Sequence, residues 1–251
     1  MYIKQGQCRS SAVLPGKGEM FLDNKIPYRH ELKYSISFSD YLAVKSRIKT
    51  VMRRDPHTGN DGKYLIQSVY FDNYRDKALR EKKDGLQRRE KFRIRYYNSD
   101  MSFITLEKKI KQNNLCIKYG EKISREDFEM IIKGEQLHVD INEKPLVKEL
   151  IIKMTTELLR PRVLVSYTRE PYIYPAGNVR VTFDSDIRSS LYGKDFINDP
   201  FAGINACEDT REIIMEVKYD EFLPEIIALL IQSGNVRQQS FSKYGICRRF
   251  G

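Results

Sequence analysis

The sequence predicts an α+β fold in which an antiparallel β-sheet, closed into a barrel, is covered on its outside by helices. Strand patterns dominate the chain, helical stretches are inserted between them, and strand and helix do not alternate steadily. An antiparallel sheet closed on itself accommodates that order. A chain of 251 residues is of ordinary size for one barrel. We therefore predict one domain, residues 28–251, after a flexible N-terminal arm, residues 1–27.

The first elements include two strands, two helices and a hairpin. YRHELKYSIS alternates in the manner of a strand, and SDYLAVKSRIKTVM has apolar residues at helical spacing with Ser39 as its cap. YLIQSVYFD is the next strand, and a short helix over residues 76–83 follows it. EKFRIRYYN and SFITLEKKI flank the turn signal at Asn98 to Asp100, so we predict that they form a hairpin.

The second half of the chain returns to strands after two helices. KYGEKIS predicts a short strand, and Ser124 with Asp127 predicts a capped helix, SREDFEMIIKG. PLVKELIIKMTTELL predicts a helix with Pro145 at its first position. RVLVSYTRE, NVRVTFDSDI and REIIMEVKYD are strand patterns, and a loop over residues 192–210 precedes the last of them. LPEIIALLIQ is the final helix, and FSKYGI closes the fold.

Charged and apolar residues alternate on five of these strands. The charged positions are Arg29, Glu31 and Lys33; Lys91, Arg93 and Arg95; Glu107 and Lys109; Arg180, Asp184 and Asp186; and Glu216 and Lys218. Successive side chains of a strand point to opposite faces, so each strand has a charged face and an apolar face. On one strand, a charged face turned to solvent is the simpler interpretation. Five strands whose apolar faces suit packing beneath helices favour a second interpretation, in which the charged faces point inward.

A barrel interior with so many charges must be hydrated, because an unpaired charge removed from water is very costly. The pattern therefore predicts a wet tunnel for a polyanion. The formal net charge of +10 agrees with an anionic partner: nucleic acid, an anionic membrane or a phosphorylated small molecule. Arginine suits phosphate through its bidentate fork and lysine through its point charge. Nucleic acid is the least favoured partner, because the cations lie on separate strands and no recognition helix or RNA-binding signature appears.

Carboxylates among these cations would repel a polyanion unless a divalent metal ion lay between them. Glu216, Glu31, Glu107 and Asp184 have the chemistry of oxygen ligands for Mg²⁺ or Mn²⁺. Internal ion pairing with neighbouring Lys and Arg side chains is the alternative, and the residues leave both open. No stretch approaches the roughly 18 apolar residues of a membrane-spanning helix, and residues 1–27 lack the apolar region of a secretory signal. We therefore expect a cytoplasmic protein.

Seven motifs occur in order along the chain: RHELKY, SVYFDN, REKFRIRYYN, LEKKIK, YTREPYIYPAGNVRVTFDSDIR, EVKYDEFLP and FSKYGICRR. Together they resemble the VTC (vacuolar transporter chaperone) domain, the polyphosphate polymerase branch of the triphosphate tunnel metalloenzymes. The resemblance covers about residues 27–250. It implies an eight-stranded antiparallel tunnel in which the γ-phosphate of ATP is transferred to a growing inorganic polyphosphate chain. It also implies Mn²⁺ or Mg²⁺ as cofactor and, from eukaryotic relatives that work beside membrane segments, a separate membrane protein as a partner.

Carried over motif by motif, the resemblance implies the site residues. Lys33, Arg93, Arg95, Lys109, Arg169, Arg180, Lys218 and Lys243 are the candidate catalytic residues; Glu216, Glu107 and Glu31 are the candidate metal ligands; Arg29, Lys91 and Ser242 are the candidate substrate-binding residues.

The first strand departs from the wider superfamily. Hydrolytic tunnel enzymes typically begin with ExExK, whereas this chain has Arg29 in place of the first acid, before Glu31 and Lys33. The change removes a metal ligand and adds a candidate phosphate ligand, which favours transfer to phosphate over hydrolysis. Two alternatives stay open: a triphosphatase of the same fold, and a non-catalytic module that binds polyphosphate or inositol phosphate.

Overall fold

A computed structural model describes residues 7–13, 28–112, 115–135, 144–190, 204–206, 212–233, 237–239 and 241–248. Most of the predicted arm and of the predicted loop over residues 192–210 lies outside these residues. The strands are β1 (Gln7–Val13), β2 (Tyr28–Ile36), β3 (Arg53–Arg54), β4 (Tyr64–Asp72), β5 (Arg88–Tyr97), β6 (Asp100–Gln112), β7 (Leu115–Ile123), β8 (Arg160–Tyr174), β9 (Val179–Ser190), β10 (Ile204–Asn205), β11 (Ile213–Tyr219) and β12 (Arg237–Gln238). The helices are α1 (Phe38–Ile48), α2 (Lys77–Lys83), α3 (Arg125–Lys133), α4 (Pro145–Thr156), α5 (Glu225–Leu230) and α6 (Lys243–Cys247), with a 3₁₀ turn at Ala176–Asn178.

The described strands belong to one sheet of twelve strands. Their order is β10-β9-β11-β2-β1-β7-β6-β5-β4-β8-β3; in addition, β12 pairs with β2, and β8 pairs with β9. The pairings are antiparallel except that between β1 and β7, which is parallel. The predicted α+β class, with a mostly antiparallel sheet and a few helices, is confirmed. No helix among the described residues is long and apolar enough to span a membrane.

The predicted barrel of eight antiparallel strands is not what the sheet shows. The sheet has more strands, and β1 runs parallel to β7 while it pairs antiparallel with β2. Strand β1 comes from the segment predicted to be a flexible arm. Its backbone groups pair with those of β2 and β7, which would otherwise be unpaired strand edges. Local composition does not reveal these partners, so it does not predict that the segment forms a strand.

One face of the sheet packs against helices, as the alternation predicts. Apolar side chains of β2, β9 and β11, such as Leu32, Phe183 and Met215, form a buried core with α1 and α5. Those of β5 and β6, such as Phe92 and Leu106, form a second buried core with α3 and α4. The alternation does not continue to Asp186, whose φ is +50° beside a register shift between β8 and β9.

The helix ends follow local capping rules. Helix α1 begins before the predicted position, because Ser37 rather than Ser39 is its cap and accepts a hydrogen bond from the Asp40 amide at 3.1 Å. The predicted start of α3 is confirmed, since Ser124 and Asp127 form a reciprocal capping box.

Helix α6, in the FSKYGI segment, lies on the face of the sheet opposite α1, α3, α4 and α5. Tyr244 is buried there among Tyr70, Tyr167 and other apolar side chains. The Tyr244 hydroxyl donates to Asp72 Oδ2 at 2.5 Å, and the Ser189 hydroxyl donates to the Cys247 carbonyl oxygen at 2.9 Å. These contacts fix α6, and with it Lys243, against the charged face of the sheet.

Candidate active site

The charged side chains of seven strands and α6 form two ion-pair networks on the same face of the sheet, one around Glu107 and one around Glu31, Glu216 and Asp184, which together we call the charged cluster. Its ion pairs have N–O distances of 3.9 Å or less. It consists of eight cations (Lys33, Arg93, Arg95, Lys109, Lys118, Arg169, Lys218 and Lys243) and four carboxylates (Glu31, Glu107, Asp184 and Glu216).

Strand register explains how distant segments meet in the cluster. Glu216 on β11 lies opposite Lys33 on β2 and opposite Thr182 on β9. Arg93 on β5 lies opposite Glu107 on β6. Directly opposed side chains on one face of an antiparallel pair are close enough to interact, so the alternation on each strand becomes a set of contacts between strands.

Asp184 is a tightly held counterion. Arg169 binds it with both arms of its guanidinium group, at 2.6 and 2.7 Å, and Lys243 Nζ lies 2.6 Å from Oδ2. Burial alone would raise the pKa of Asp184, but Arg169 and Lys243 outweigh it and hold the pKa well below its usual range. Both carboxylate oxygens are therefore already used by cations, which leaves Asp184 little capacity for a metal ion.

Glu107 is held in the same way on the other side of the cluster. Arg93 Nε and Lys118 Nζ each lie 2.5 Å from its carboxylate, and Arg95 lies at 3.9 Å. Burial opposes its ionisation, yet Arg93, Arg95 and Lys118 keep its pKa well below the usual range. This geometry favours internal ion pairing over the predicted role of Glu107 as a metal ligand.

Glu216 makes looser contacts. Its carboxylate lies 3.2 Å from Arg169 Nη2 and 3.6 Å from both Lys33 Nζ and Lys218 Nζ, although the side chain is only 6% exposed. Glu31 approaches the same Lys33 ammonium at 2.8 Å and Lys109 at 3.6 Å. Of the four carboxylates, Glu216 therefore has the most capacity for a further ligand, and Glu31 is its nearest acidic companion.

These residues fit a divalent cation that is bound together with substrate. Among the described residues, no group of three or more His, Cys, Asp and Glu side chains is arranged to hold a metal ion. Magnesium sites that bind phosphorylated substrates commonly use only one or two carboxylates, with phosphate oxygens and water as the other ligands. Glu216 with Glu31 meets that requirement.

Water reaches three lysines of the cluster more than it reaches the carboxylates. The side chains of Lys109, Lys218 and Lys33 are 43%, 33% and 27% exposed, whereas Glu107 is 5% exposed. The carboxylates, Arg95 and Arg169 are thus at the base of the cluster, and Lys33, Lys109 and Lys218 extend into a hydrated space. An anion in that space would meet the cations first.

Comparisons with known proteins agree with the motifs in the sequence. The family model of the VTC domain matches residues 28–250. The chain belongs to the VTC domain family. A search of curated proteins found no significant match.

Two solved structures resemble the chain loosely. One, from Bacillus halodurans, is named as a "putative adenylate cyclase"; it is 14% identical, with a TM-score of 0.47, over 80% of this chain and 84% of that one. The other, from Vibrio parahaemolyticus, carries the same name; it is 10% identical, with a TM-score of 0.45, over 88% of this chain and 97% of that one. Likeness at this level bears on neither the mechanism nor the substrate of this VTC domain.

Four predicted site residues of the VTC domain lie outside the charged cluster. Arg29 forms an ion pair with Asp220 at 2.8 Å and donates to the Asn178 carbonyl oxygen at 2.5 Å, near the end of β11. Ser242 caps α6 by accepting a hydrogen bond from the Gly245 amide at 3.2 Å. Both residues have structural partners that account for them.

Arg180 and Lys91 border the cluster. Arg180 lies opposite Lys218 and contacts Asp55 Oδ2 at 2.7 Å and the Tyr64 hydroxyl at 2.8 Å. Lys91 lies opposite Lys109, and its Nζ is 4.7 Å from the centroid of the Tyr244 ring. Both cations are near enough to extend the positive surface beyond the cluster.

Two residues of the site, Lys118 and Tyr70, were not predicted from the sequence. Lys118 contacts Glu107, and burial together with Arg93 and Arg95 lowers the pKa of Lys118 to about 8. Its signal was present in KYGEK, where Lys118 and Lys122 alternate about Gly120. The Tyr70 hydroxyl, which accepts from Arg93 Nη1 at 3.0 Å, gave no such signal, because its strand is predominantly apolar.

Proposed function

We propose that this VTC domain is a metal-dependent polyphosphate polymerase, which transfers the γ-phosphate of ATP to a growing inorganic polyphosphate chain inside a basic tunnel. One observation supports the proposal most directly. The charged cluster pairs eight cations with four carboxylates, an excess of four positive charges among side chains that are each less than half exposed. Such an excess is costly without an anion, and a chain of phosphates supplies closely spaced negative charge without needing pockets for bases or sugars.

The cations of the cluster suit in-line phosphoryl transfer. A terminal oxygen of the polyphosphate chain would form a bond to the γ-phosphorus, while the bond from that phosphorus to the bridging oxygen breaks and ADP leaves. Arg93 and Arg95 would hold phosphate oxygens from one side, and Lys33 and Lys218 from the other. Fixed positions for both reactants and compensation of the equatorial charge are the main sources of catalysis in this chemistry.

Mn²⁺ or Mg²⁺ is the cofactor of the proposed reaction. When bound, the cation would neutralise negative charge on the phosphate oxygens. Glu216 and Glu31 would hold it from the protein side. When the cation is absent, Lys33 would keep both carboxylates oriented, because it contacts each of them.

The scarcity of carboxylates favours transfer over hydrolysis. The structure pairs Arg29 with Asp220, so the predicted gain of a phosphate ligand at that position is not supported. The loss of the first acid of ExExK remains, and with Glu107 and Asp184 occupied by cations the site has few oxygens to activate a water molecule. A triphosphatase and a non-catalytic binding module are the competing functions.

Product analysis tests the proposal. Purified protein is incubated with ATP and Mn²⁺, the products are separated on a gel stained for polyphosphate, and ADP and free phosphate are assayed in the same samples. Long chains that appear in step with ADP would support the polymerase. Free phosphate without chains would instead identify a triphosphatase, and tight polyphosphate binding without turnover would identify a binding module.

The predicted location and partner follow from this activity. ATP as substrate agrees with a cytoplasmic position, and a separate membrane protein that accepts the polyphosphate chain is the partner that the family resemblance implies. Neither is needed for the product assay, which uses the purified domain alone.

Lys91 is expected to make polyphosphate binding pH-dependent. Burial and the neighbouring cations Lys82, Arg89 and Lys109 lower the pKa of its amine to about 7, against the opposing effect of Asp72. A bound polyanion favours the charged amine. Binding above pH 7 should therefore take up a proton, and the affinity should fall by at most about tenfold per pH unit for this group as the pH rises.

Calorimetric titration with polyphosphate at pH 8.5, in buffers of different ionisation enthalpy, measures this uptake. Lys91→Arg keeps a permanent positive charge at the position and should reduce the number of protons taken up by nearly one. Lys118, whose pKa is about 8, contributes to the uptake in both proteins and cancels in the comparison. Equal uptake by the two proteins would show that Lys91 does not sense the bound chain.

A further inference from the structure

Thr182 places a buried hydroxyl on the charged face of β9. Arg180, Thr182 and Asp184 alternate on that face, whereas Val181 and Phe183 belong to the core beneath the helices. Thr182 is 2% exposed and lies directly opposite Glu216. Side chains opposed in this way have Cβ atoms about 4.5–5.5 Å apart. The hydroxyl is thus beside the most loosely held carboxylate of the cluster.

This hydroxyl has no hydrogen-bond partner among the described residues. Asp184, two positions along the strand, is bound by Arg169 and Lys243. Arg180, two positions in the other direction, contacts Asp55 and Tyr64. On β8 the opposite residue is Pro171, which has no N–H to donate. The neighbours of Thr182 are therefore engaged elsewhere or lack a donor.

Threonine is a costly choice at this position for the fold alone. A buried hydroxyl without a partner costs roughly 1–3 kcal/mol. Valine has nearly the same shape, suits a β-strand equally well and has no hydroxyl to satisfy. The orphaned oxygen is explained if it has a partner that binds with the substrate.

We propose that the Thr182 hydroxyl is an oxygen ligand of the divalent cation that Glu216 binds, an inference that rests on the proposed metal-dependent function. Mg²⁺ and Mn²⁺ prefer oxygen ligands. A neutral hydroxyl adds one without adding a negative charge that would repel the polyphosphate chain. It thereby compensates in part for the acid that Arg29 replaces in the first strand.

Two substitutions at one position test the assignment. Thr182→Val removes the hydroxyl and nearly keeps the shape, while Thr182→Ser keeps the hydroxyl. Binding of Mn²⁺ in the presence of tripolyphosphate is followed by electron paramagnetic resonance, which counts free Mn²⁺ without requiring turnover. We expect Thr182→Val to weaken Mn²⁺ binding by at least about tenfold, the lower end of the effect of losing a supporting group around a metal. Thr182→Ser should stay within about threefold of the unaltered protein.

The same titrations separate this assignment from the proposed function. Equal Mn²⁺ affinity of Thr182→Val and the unaltered protein, with loss of affinity in Glu216→Gln, would overturn the role of Thr182 and leave the metal-dependent function standing. No Mn²⁺ binding by the unaltered protein would overturn both.

Tripolyphosphate titrated without metal should bind Thr182→Val and the unaltered protein equally. Weaker binding by Thr182→Val would show that the hydroxyl contacts phosphate and would overturn its role as a metal ligand. The melting temperature of Thr182→Val should be no lower than that of the unaltered protein, because the substitution removes an unsatisfied buried group.

Discussion

Glu216→Gln is expected to abolish polyphosphate synthesis at limiting Mn²⁺, with a loss of about 100-fold or more in rate. The substitution keeps the size of the side chain but removes the negative charge that would attract the cation. Glu216 is the carboxylate to test because its nearest cation is 3.2 Å away, whereas Asp184 and Glu107 have cations at 2.6 and 2.5 Å. The rate of chain synthesis is measured over a series of Mn²⁺ concentrations.

The fold should tolerate this change. The ion pairs of Glu216 are long, and Lys33 and Arg169 keep their shorter contacts with Glu31 and Asp184. Thermal unfolding of Glu216→Gln should therefore resemble that of the unaltered protein. An unchanged rate at limiting Mn²⁺ would contradict the assignment of Glu216 as the metal ligand.

Glu107→Gln is the matched comparison, because it removes a buried carboxylate of the same cluster. Its oxygens are already bound by Arg93 and Lys118, so it should lower the rate by disturbing those cations. The Mn²⁺ concentration that gives the half-maximal rate should not change. An increase in that concentration equal to the one in Glu216→Gln would restore Glu107 as a metal ligand.

Much of the fold could be predicted from local patterns. Period-two alternation located the long strands, and the capping pair of Ser124 and Asp127 located the start of α3. Strand β1 and helix α6 escaped prediction because both depend on partners distant in sequence. Backbone pairing with β2 and β7 accounts for β1, and the contact of Tyr244 with Asp72 anchors α6. Neither partner is visible from the short segments themselves.

The cationic part of the site could also be predicted, because charge alternation identifies which side chains share a face of the sheet. It does not identify which charges pair. Glu107 and Glu216 occur in similar motifs, LEKK and EVK, yet the structure holds the first tightly and the second loosely. That difference arises from Lys118, which reaches Glu107 from a neighbouring strand. A choice between metal ligand and counterion therefore requires interatomic distances.

Arg93→Ala combined with Arg95→Ala is expected to weaken binding of polyphosphate by at least about 100-fold. Both guanidinium groups lie on the charged face of β5, and a hydrogen bond to a charged group contributes about 1.5–3 kcal/mol. Loss of two such contacts therefore accounts for the expected change. Direct titration of the chain, in the absence of metal and nucleotide, measures the affinity without depending on turnover.

The design of this experiment must separate lost phosphate contacts from a new repulsion. Removal of both arginines leaves Glu107 with Lys118 as its remaining partner within the cluster, so its negative charge would itself oppose the bound chain. Adding Glu107→Gln to the double variant removes that charge, and the affinity should remain far below that of the unaltered protein if the arginines bind phosphate.

Arg125→Ala with Lys49→Ala is the control for net charge. It also removes two positive charges, from exposed positions on α3 and at the end of α1, and it should bind polyphosphate nearly as the unaltered protein does. Equal affinity of the arginine double variant and this surface variant would refute the assignment of Arg93 and Arg95, because net charge alone would then explain the effect.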